Sequence, residues 1–269
     1  MKIRLAYTKK DQAKYIAHLD LARVFARALR RADIAVAFSE GFNPHPKIAF
    51  GPPLPVGVEG EKEYVDIELK PLNFGKERTG NNLQAGGQKE NKIREKRAWT
   101  QNPEEQKYLA EVVHKLQKQL PRGIAIRGYA LKPQGSKAIT ALVNLARYKT
   151  EVPFLEEITP GRLEEACQNW LAKEEVLVIR LQKGKQSEKN IRPLVKRIDI
   201  IWGEGGRRAT FLFDIITGNT GSVRPAEVLA SLKEQEGLPL DLSGAQITRM
   251  GLYLERENGD LADPLEVIR

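Results

Sequence analysis

Hydrophobic residues recur along the chain with two different periods, and the two periods alternate. Ile3, Leu5 and Tyr7 alternate with mostly polar neighbours, which predicts a strand with one face in a core. From His18 onwards the apolar spacing becomes three and four residues, which predicts an amphipathic helix. Two short extended runs, a strand, a helix over 103–120 and a further strand follow. The order β-α-β-β-α-β is typical of a ferredoxin-like unit, an antiparallel sheet with both helices on one face.

The same order of elements is predicted again after residues 132–137, which have the composition of a linker. A strand near 143–152 and a helix that begins at Pro160 lead into further strands, another helix and a last strand. This second unit has one strand or hairpin more than the first. We therefore predict an α+β protein of two tandem ferredoxin-like (βαββαβ) units, over residues 1–134 and 135–269.

One segment, residues 71–102, interrupts the first unit. It has few apolar residues and no hydrophobic period, and it ends in a basic tract from Lys89 to Arg97. Such a segment buries too little apolar surface to offset its ordering entropy, so we expect a mobile, positively charged loop. Closure over a bound polyanion and a tolerated surface insertion are both consistent with this composition.

The charge balance favours a polyanionic partner. Lysine and arginine number 44 against 35 acidic residues, which gives a formal net charge of +9. Binding of cationic side chains to phosphates releases condensed counterions and is therefore favourable. The sequence has no apolar run of membrane-spanning length and no signal-peptide pattern, so we expect a cytoplasmic protein with no membrane partner.

The stretch Ser39–Gly51 has the features of a rigid binding loop. Pro44 and Pro46 flank His45, and Asn43 can hydrogen-bond its own backbone. A loop of fixed shape presents polar groups from fixed positions, so we predict that it holds a ligand. The alternative is a hairpin connection whose prolines only block edge pairing.

Four arginines follow one face of the predicted first helix. Arg23, Arg27, Arg30 and Arg31 repeat at helical spacing, with few acidic residues four positions away. This arrangement favours contact with phosphates, although a solvated helix face is the ordinary alternative.

Two histidines are candidates for catalysis. His18 begins the first helix and His45 lies in the rigid loop, so both are predicted to approach one edge of the first sheet. A histidine pair beside arginines can shuttle protons in attack by an RNA 2′-hydroxyl without a metal. The alternative is that each ring hydrogen-bonds a carbonyl or a phosphate. A zinc site with Asp20 has less support, because no typical ligand spacing accompanies it.

A second anion site is predicted before the helix that begins at Pro225. Gly218, Gly221 and Ser222 precede Arg224, and free amides at a helix start form a pocket for anions. The usual enzyme fingerprints, such as a Walker motif or a nucleophile elbow, are missing from the sequence.

Several ordered motifs in the chain resemble those of the DUF2344 family of radical-SAM-linked proteins. The motifs are His18-Leu19-Asp20, Arg27–Arg31, Ser39–Lys47, Leu54–Glu59, Glu63–Ile67, Ile191-Arg192-Pro193, Gly218–Pro225 and Thr248-Arg249. The family commonly has an acidic residue before Ile-Arg-Pro, where this chain has Asn190. The resemblance implies a protein fused to, or encoded beside, a radical SAM enzyme. The doubled plan is also similar to RAMP-type RNA-processing proteins, which is a likeness of fold only.

These observations lead to one main expectation. Cys167 is the single cysteine, and a radical SAM cluster needs three, so S-adenosylmethionine and an iron–sulfur cluster are expected only in a partner enzyme. We expect an RNA-binding accessory module, without activity by itself, that positions tRNA or rRNA for that enzyme as a monomer or in a hetero-complex. The predicted RNA contacts are Arg23, Arg27, Arg30, Asn43, Lys47, Arg192 and Arg224, with His45 orienting a base or sugar.

Two alternatives of other classes stay open at this point. One is a metal-independent endoribonuclease that uses His18 and His45. The other is a protein-interaction module whose positive charge meets an acidic surface of a radical SAM partner.

Overall fold

The structure is a computed structural model, and it describes most of the chain. The described residues are 1–70, 103–133, 135–182, 184–218 and 221–267. The predicted mobile insertion at 71–102 lies outside them. Within these ranges, no helix has both the length and the apolar character needed to cross a bilayer.

The described part of the first half has four strands and two long helices. They are β1 (Lys2–Lys9), α1 (His18–Arg31), β2 (Ile48–Phe50), β3 (Glu59–Glu68), α2 (Pro103–Gln119) and β4 (Ile126–Lys132). The strand order is β4-β1-β3, and β2 pairs with the other side of β3. Every one of these pairs is antiparallel, so β3 lies between the parallel strands β1 and β2. This arrangement is a split βαβ unit.

The second half repeats this order with additions. Its elements are α3 (Ile139–Leu142), β5 (Leu145–Pro153), α4 (Pro160–Ala172), β6 (Leu177–Gln182), β7 (Lys185–Asn190), β8 (Val195–Trp202), β9 (Arg208–Ile216), α5 (Pro225–Glu236), β10 (Gln246–Glu255) and β11 (Leu261–Ala262). The order β10-β5-β9-β8 corresponds to β4-β1-β3-β2. The added hairpin β6–β7 stands between α4 and β8, the place that the Ser39–Gly51 stretch has in the first half. The predicted α+β plan with a repeated unit is confirmed.

The two halves share one sheet, which the sequence did not predict. Strand β10 runs parallel to the start of β3, with Thr248 opposite Glu59 and Arg249 opposite Gly60. The seven strands of the main path therefore continue from β4 to β8 without a break. The chain crosses from one half to the other near the predicted linker, but the halves are not separate bodies joined by a tether.

Each half has its own core beneath its helices. In the first half, Phe25, Ala28 and Leu29 of α1 and Leu109, Val112 and Leu116 of α2 pack on Ile3, Leu5, Val65 and Ile67. In the second half, Leu163 and Trp170 of α4 and Val228 and Leu232 of α5 pack on Tyr148, Val152, Phe211 and Phe213. The helices of each half thus cover one face of its strands, and burial of this apolar surface is the main stabilising term.

A buried ion pair joins the halves where β3 meets β10. Arg249 Nε donates to Glu63 Oε1 at 2.7 Å, and Arg249 Nη2 donates to the carbonyl of Pro52 at 2.8 Å. Both side chains of the pair are almost completely buried, with 2% and 4% exposure. Burial by itself lowers the pKa of Arg249, but the adjacent Glu63 carboxylate outweighs burial and raises this pKa. The Arg249 guanidinium is therefore charged in the folded protein.

A second buried cluster ties the ends of the described chain together. Arg4 Nε and Lys132 Nζ donate to the Asp66 carboxylate at 2.7 and 2.9 Å. Arg4 also donates to the carbonyls of Pro264 and Lys137, each at 3.2 Å. Arg4 therefore joins three segments: the first strand, the crossing between the halves and the residues after β11.

We predict that breaking the buried pair destabilises the protein strongly. Glu63→Gln leaves Arg249 buried without its carboxylate, and we expect the free energy of unfolding in urea to fall by about 3–5 kcal/mol. The matched control is Arg207→Gln, which removes an exposed pair with Glu157 and is expected to change stability by less than about 1 kcal/mol. Equal effects of the two substitutions would contradict this account of the boundary where β3 meets β10, which we call the seam between the halves.

We also predict that Cys167 reacts with thiol reagents only after unfolding. Burial on the inner face of α4 raises the pKa of this thiol to about 12, and Glu236 adds to the shift. Because the thiolate is the reactive form, disulfide exchange with a chromogenic reagent at pH 8 should be slower in the native protein by on the order of a thousandfold. Fast labelling without denaturant would show that α4 does not pack as described.

Candidate functional site

The loop between α1 and β2 is tied closed by its own residues. The Ser39 N–H donates to the His45 carbonyl at 2.8 Å, and the His45 N–H donates to Ser39 Oγ at 3.1 Å. Ser39 Oγ also lies 2.9 Å from His45 Nδ1. Phe38 and Pro46 pair as an antiparallel bridge at the base of the loop. The loop thus has a fixed shape and is a hairpin connection, and its binding of a ligand stays a prediction.

The tied loop presents an aromatic ring to solvent. Phe42 has 106% of its reference exposure, and Asn43 and His45 beside it are exposed as well. Gly41 precedes the ring with φ +115°, a conformation that side-chain-bearing residues rarely adopt. A large apolar ring held in water at a fixed position offers a surface for stacking. Phe42 was not among the predicted contacts, although an aromatic residue inside a polar turn was the available signal.

Three lysines surround the base of this loop. Lys2 Nζ and Lys47 Nζ lie 3.2 and 3.8 Å from the two oxygens of the Glu68 carboxylate, and Lys70 is exposed nearby in the chain. Backbone hydrogen bonds hold them together, because Glu68 N–H donates to the Lys47 carbonyl and Lys70 N–H to that of Ala35. We call Lys2, Phe42, Asn43, His45, Lys47 and Lys70 the loop edge. Two ammonium groups there share the Glu68 carboxylate, Lys70 is exposed with no ion pair to a described residue, and Glu40 in the loop is exposed as well.

The arginine stripe of α1 divides into paired and unpaired members. Arg23 Nη1 donates to Asp20 at 2.9 Å, and Arg31 donates to the carbonyl of Gln119 at 2.7 Å, at the end of α2. Arg27 and Arg30 are exposed and make no ion pair with a described residue. Two of the four predicted phosphate contacts on this helix are therefore free for a ligand.

The structure does not bring the two candidate catalytic histidines together. The His18 ring packs edge-on against Phe50, the last residue of β2, with 5.6 Å between centroids. His45 is tied to Ser39, before β2 begins. In the described residues, no hydrogen bond or ring contact joins His18 to His45. A direct proton relay between the rings does not fit this arrangement.

The Arg192 side chain binds backbone carbonyls of the protein itself, and this corrects the prediction that it contacts RNA. Its Nε donates to the carbonyl of Leu171 at 2.8 Å and its Nη1 to that of Val195 at 2.7 Å. The guanidinium also lies over the Trp170 ring at 5.7 Å. Because Ile191-Arg192-Pro193 forms part of a 3-10 helix after the hairpin, the side chain turns towards the end of α4 and its donors are used there.

A carboxylate of the protein itself, that of Glu227, lies at the start of α5, where an anion pocket was predicted. The Arg224 N–H donates to the Glu227 carboxylate at 2.8 Å. Arg180 donates to both oxygens of Glu227, at 2.8 and 2.7 Å. Arg180 and Lys189 also donate to the carbonyl of Ser222, at 3.0 and 3.1 Å. One amide at this helix start, that of Arg224, therefore already has an internal carboxylate as its acceptor.

The glycines of that segment have conformational roles. Gly218 and Gly221 have φ of +92° and +123°, so they allow the chain to turn into α5. Arg224 keeps an exposed side chain, and no ion pair joins it to the described residues. No hydrogen bond or ion pair links the described part of 218–225 to the loop edge.

Several ionisable groups at the seam between the halves have shifted pKa values. Burial raises the pKa of Tyr7 and of Tyr64, and burial lowers the pKa of Lys9, whose Nζ donates to the Lys14 carbonyl at 2.9 Å. In the part of the chain that is described, no three histidine, cysteine, aspartate or glutamate side chains gather as metal ligands. What the loop edge offers is stacking, hydrogen bonding and positive charge.

Comparison with known proteins gives a family. A search of curated proteins found no match. Among solved structures, a chain of the "Crystal Structure of a Cbf5-Nop10-Gar1 Complex" is similar at 10% identity and a TM-score of 0.46, over 92% of this chain and 49% of that one. This likeness is too weak to support any functional argument.

A family model described as "Uncharacterized protein conserved in bacteria (DUF2344)" matches residues 2–109 and 102–225. The two matched regions fit the repeated order of elements in the two halves. The matches span most of the sequence, and the chain therefore belongs to the DUF2344 family.

Proposed function

We propose that this protein is an RNA-binding accessory module that presents structured RNA, such as tRNA or rRNA, to a separate radical SAM enzyme. The observation that carries the proposal is the loop edge, where a fully exposed Phe42 stands on a tied loop among exposed polar and cationic side chains. Proteins that read RNA commonly splay out an unpaired base and stack it on such a ring.

The neighbouring side chains supply the other contacts that an RNA loop needs. The Asn43 amide offers both donors and an acceptor, and the exposed His45 ring offers one nitrogen beyond the one near Ser39. These groups suit the edge of a base or a 2′-hydroxyl. Lys2, Lys47 and Lys70 suit the phosphates on either side, because an ammonium group contacts phosphate without sequence preference.

The free arginines of α1 extend this cationic surface. Arg27 and Arg30 retain unused donors, and Arg23 shares its charge with Asp20. From the predicted second-half contacts, Arg224 remains a candidate and Arg192 does not. RNA is the polyanion that best fits a surface combining lysines, arginines and an exposed ring, since stacking adds affinity that charge alone does not.

The radical SAM partner rests on the family resemblance and on cysteine content. The single cysteine, Cys167, is buried in the second core. An iron–sulfur cluster needs several cysteine ligands, and the sequence has only this one. The chemistry would therefore belong to a separate enzyme, and this chain would contribute binding and orientation.

The first prediction of this proposal concerns stacking. We expect Phe42→Ala to weaken binding of bulk tRNA, measured by fluorescence anisotropy, by roughly 5- to 150-fold, since stacking on an aromatic residue contributes about 1–3 kcal/mol per base. Leu155→Ala is the matched control, because it removes another exposed apolar side chain, in the second half. Unchanged affinity in Phe42→Ala would remove the loop edge as the binding surface.

The second prediction concerns charge. The triple substitution Lys2→Gln, Lys47→Gln and Lys70→Gln should reduce the slope of log affinity against log salt concentration by about 2, as expected for three lost phosphate contacts to a single strand. The control is Lys149→Gln, a half-exposed lysine that pairs with Glu151 on the second half. A slope that falls equally in the control would indicate a general effect of net charge.

A further inference from the structure

The hairpin β6–β7 presents a row of apolar side chains to solvent. Leu177, Ile179 and Leu181 alternate along β6 and are 45%, 68% and 72% exposed. Alternation places all three on one face of the two-stranded ribbon. The other face turns towards the body of the protein, where Val178 packs on the second core and Arg180 pairs with Glu227.

The ribbon is fixed to the protein at both strands. Arg180 holds β6 to the start of α5 through Glu227, and Lys189 holds β7 there through the Ser222 carbonyl. At the base of the ribbon, the Val176 N–H donates to Asn190 Oδ1 at 3.0 Å. The apolar row therefore cannot turn inwards without breaking these contacts, and its exposure is a property of the fold.

Acidic side chains border the row in a protein with a net charge of +9. Glu188 lies opposite Ile179 in the register of the hairpin, and it is exposed. Glu174 and Glu175 are exposed just before β6. Among the described cationic side chains of this segment, Arg180 and Lys189 are directed to α5 and Lys173 pairs with Glu236 of α5, so they do not offset these carboxylates. An apolar stripe beside acidic groups is complementary to an apolar stripe beside basic groups.

The dimensions of the row favour a helix as the ligand. Its side chains repeat about every 6.7 Å along β6, close to the 6 Å between residues four apart in an α-helix. A strand added to the edge of the hairpin would use its backbone groups and leave the apolar face uncovered. A second copy of this chain is a poorer fit, because a stable dimer buries about 800 Å² per partner and three side chains supply only part of that area.

We propose that the exposed face of β6–β7 docks an amphipathic helix of a protein partner, with Leu177, Ile179 and Leu181 under its apolar stripe and lysine or arginine residues facing Glu174, Glu175 and Glu188. The inference does not depend on RNA binding, since the hairpin and the loop edge occupy corresponding places in different halves. It adds a second, protein-directed surface to the one proposed for RNA.

The test uses two labelled helical peptides of about 18 residues with identical leucine stripes, one with lysine and the other with glutamate at the flanking positions. The full-length protein should bind the leucine–lysine peptide about 10-fold more tightly, although its own net positive charge favours the other peptide. A preference for the leucine–glutamate peptide, or no binding of either, would overturn the proposal.

The double substitution Ile179→Thr with Leu181→Thr retains strand propensity and should weaken binding of the leucine–lysine peptide by about 10-fold or more. Leu155→Thr, an exposed apolar position elsewhere, is the control and should leave binding unchanged. Unfolding midpoint and tRNA affinity are measured on the same variants and should not change, so a failure here is distinct from a failure of the RNA proposal.

Charge reversal gives an independent measurement. Glu188→Lys should lower affinity for the leucine–lysine peptide and raise it for the leucine–glutamate peptide. If Glu188→Lys and the double variant Ile179→Thr with Leu181→Thr each bind both peptides as tightly as the wild type does, docking at this face is contradicted. Sedimentation showing a dimer that Ile179→Thr with Leu181→Thr abolishes would identify a second copy as the occupant and would also overturn the proposal.

Discussion

Arg249 carries a guanidinium group into the boundary between the two halves, where burial would be unfavourable without the Glu63 carboxylate. The pair lies next to the short parallel pairing of β3 and β10, which by itself joins only two residues on each strand. Backbone pairing of that length could shift or open, but a shift would separate two buried opposite charges. The ion pair therefore fixes the register in which two similar units form one sheet.

Continuity of the sheet determines how the repeated units can diverge. Their strands and long helices are committed to cores and to the seam, and one difference between the described parts of the two units lies in the first crossover, between the first helix and the second strand. In the first half this crossover is a tied polar loop with an exposed ring. In the second half it is a ribbon with an apolar face. The same position in the plan has thus acquired two different surface chemistries.

Local signals in the sequence predicted most helices and strands. Contacts between residues far apart in the chain were not predicted. Thr159 accepts a hydrogen bond from the Arg162 N–H, and α4 begins at Pro160 as predicted. By contrast, β7 has no apolar alternation, and its place is set by pairing with β6 and by the hydrogen bond from Lys189 to the Ser222 carbonyl. The position of the Arg192 side chain depended on the carbonyl of Leu171, 21 positions away, which no spacing rule reveals. The proximity of Lys2 to Lys47 likewise arose from strand register.

The Arg4 cluster has a consequence for how the chain acquires its structure. Arg4 and Pro264 are 260 positions apart, and Glu63 and Arg249 are 186 apart. During synthesis the first half emerges long before either distant partner exists, so its charged seam remains hydrated until the last strands arrive. The whole sheet can therefore form only once the second half is complete. This favours cooperative folding of the two halves over independent folding of two domains.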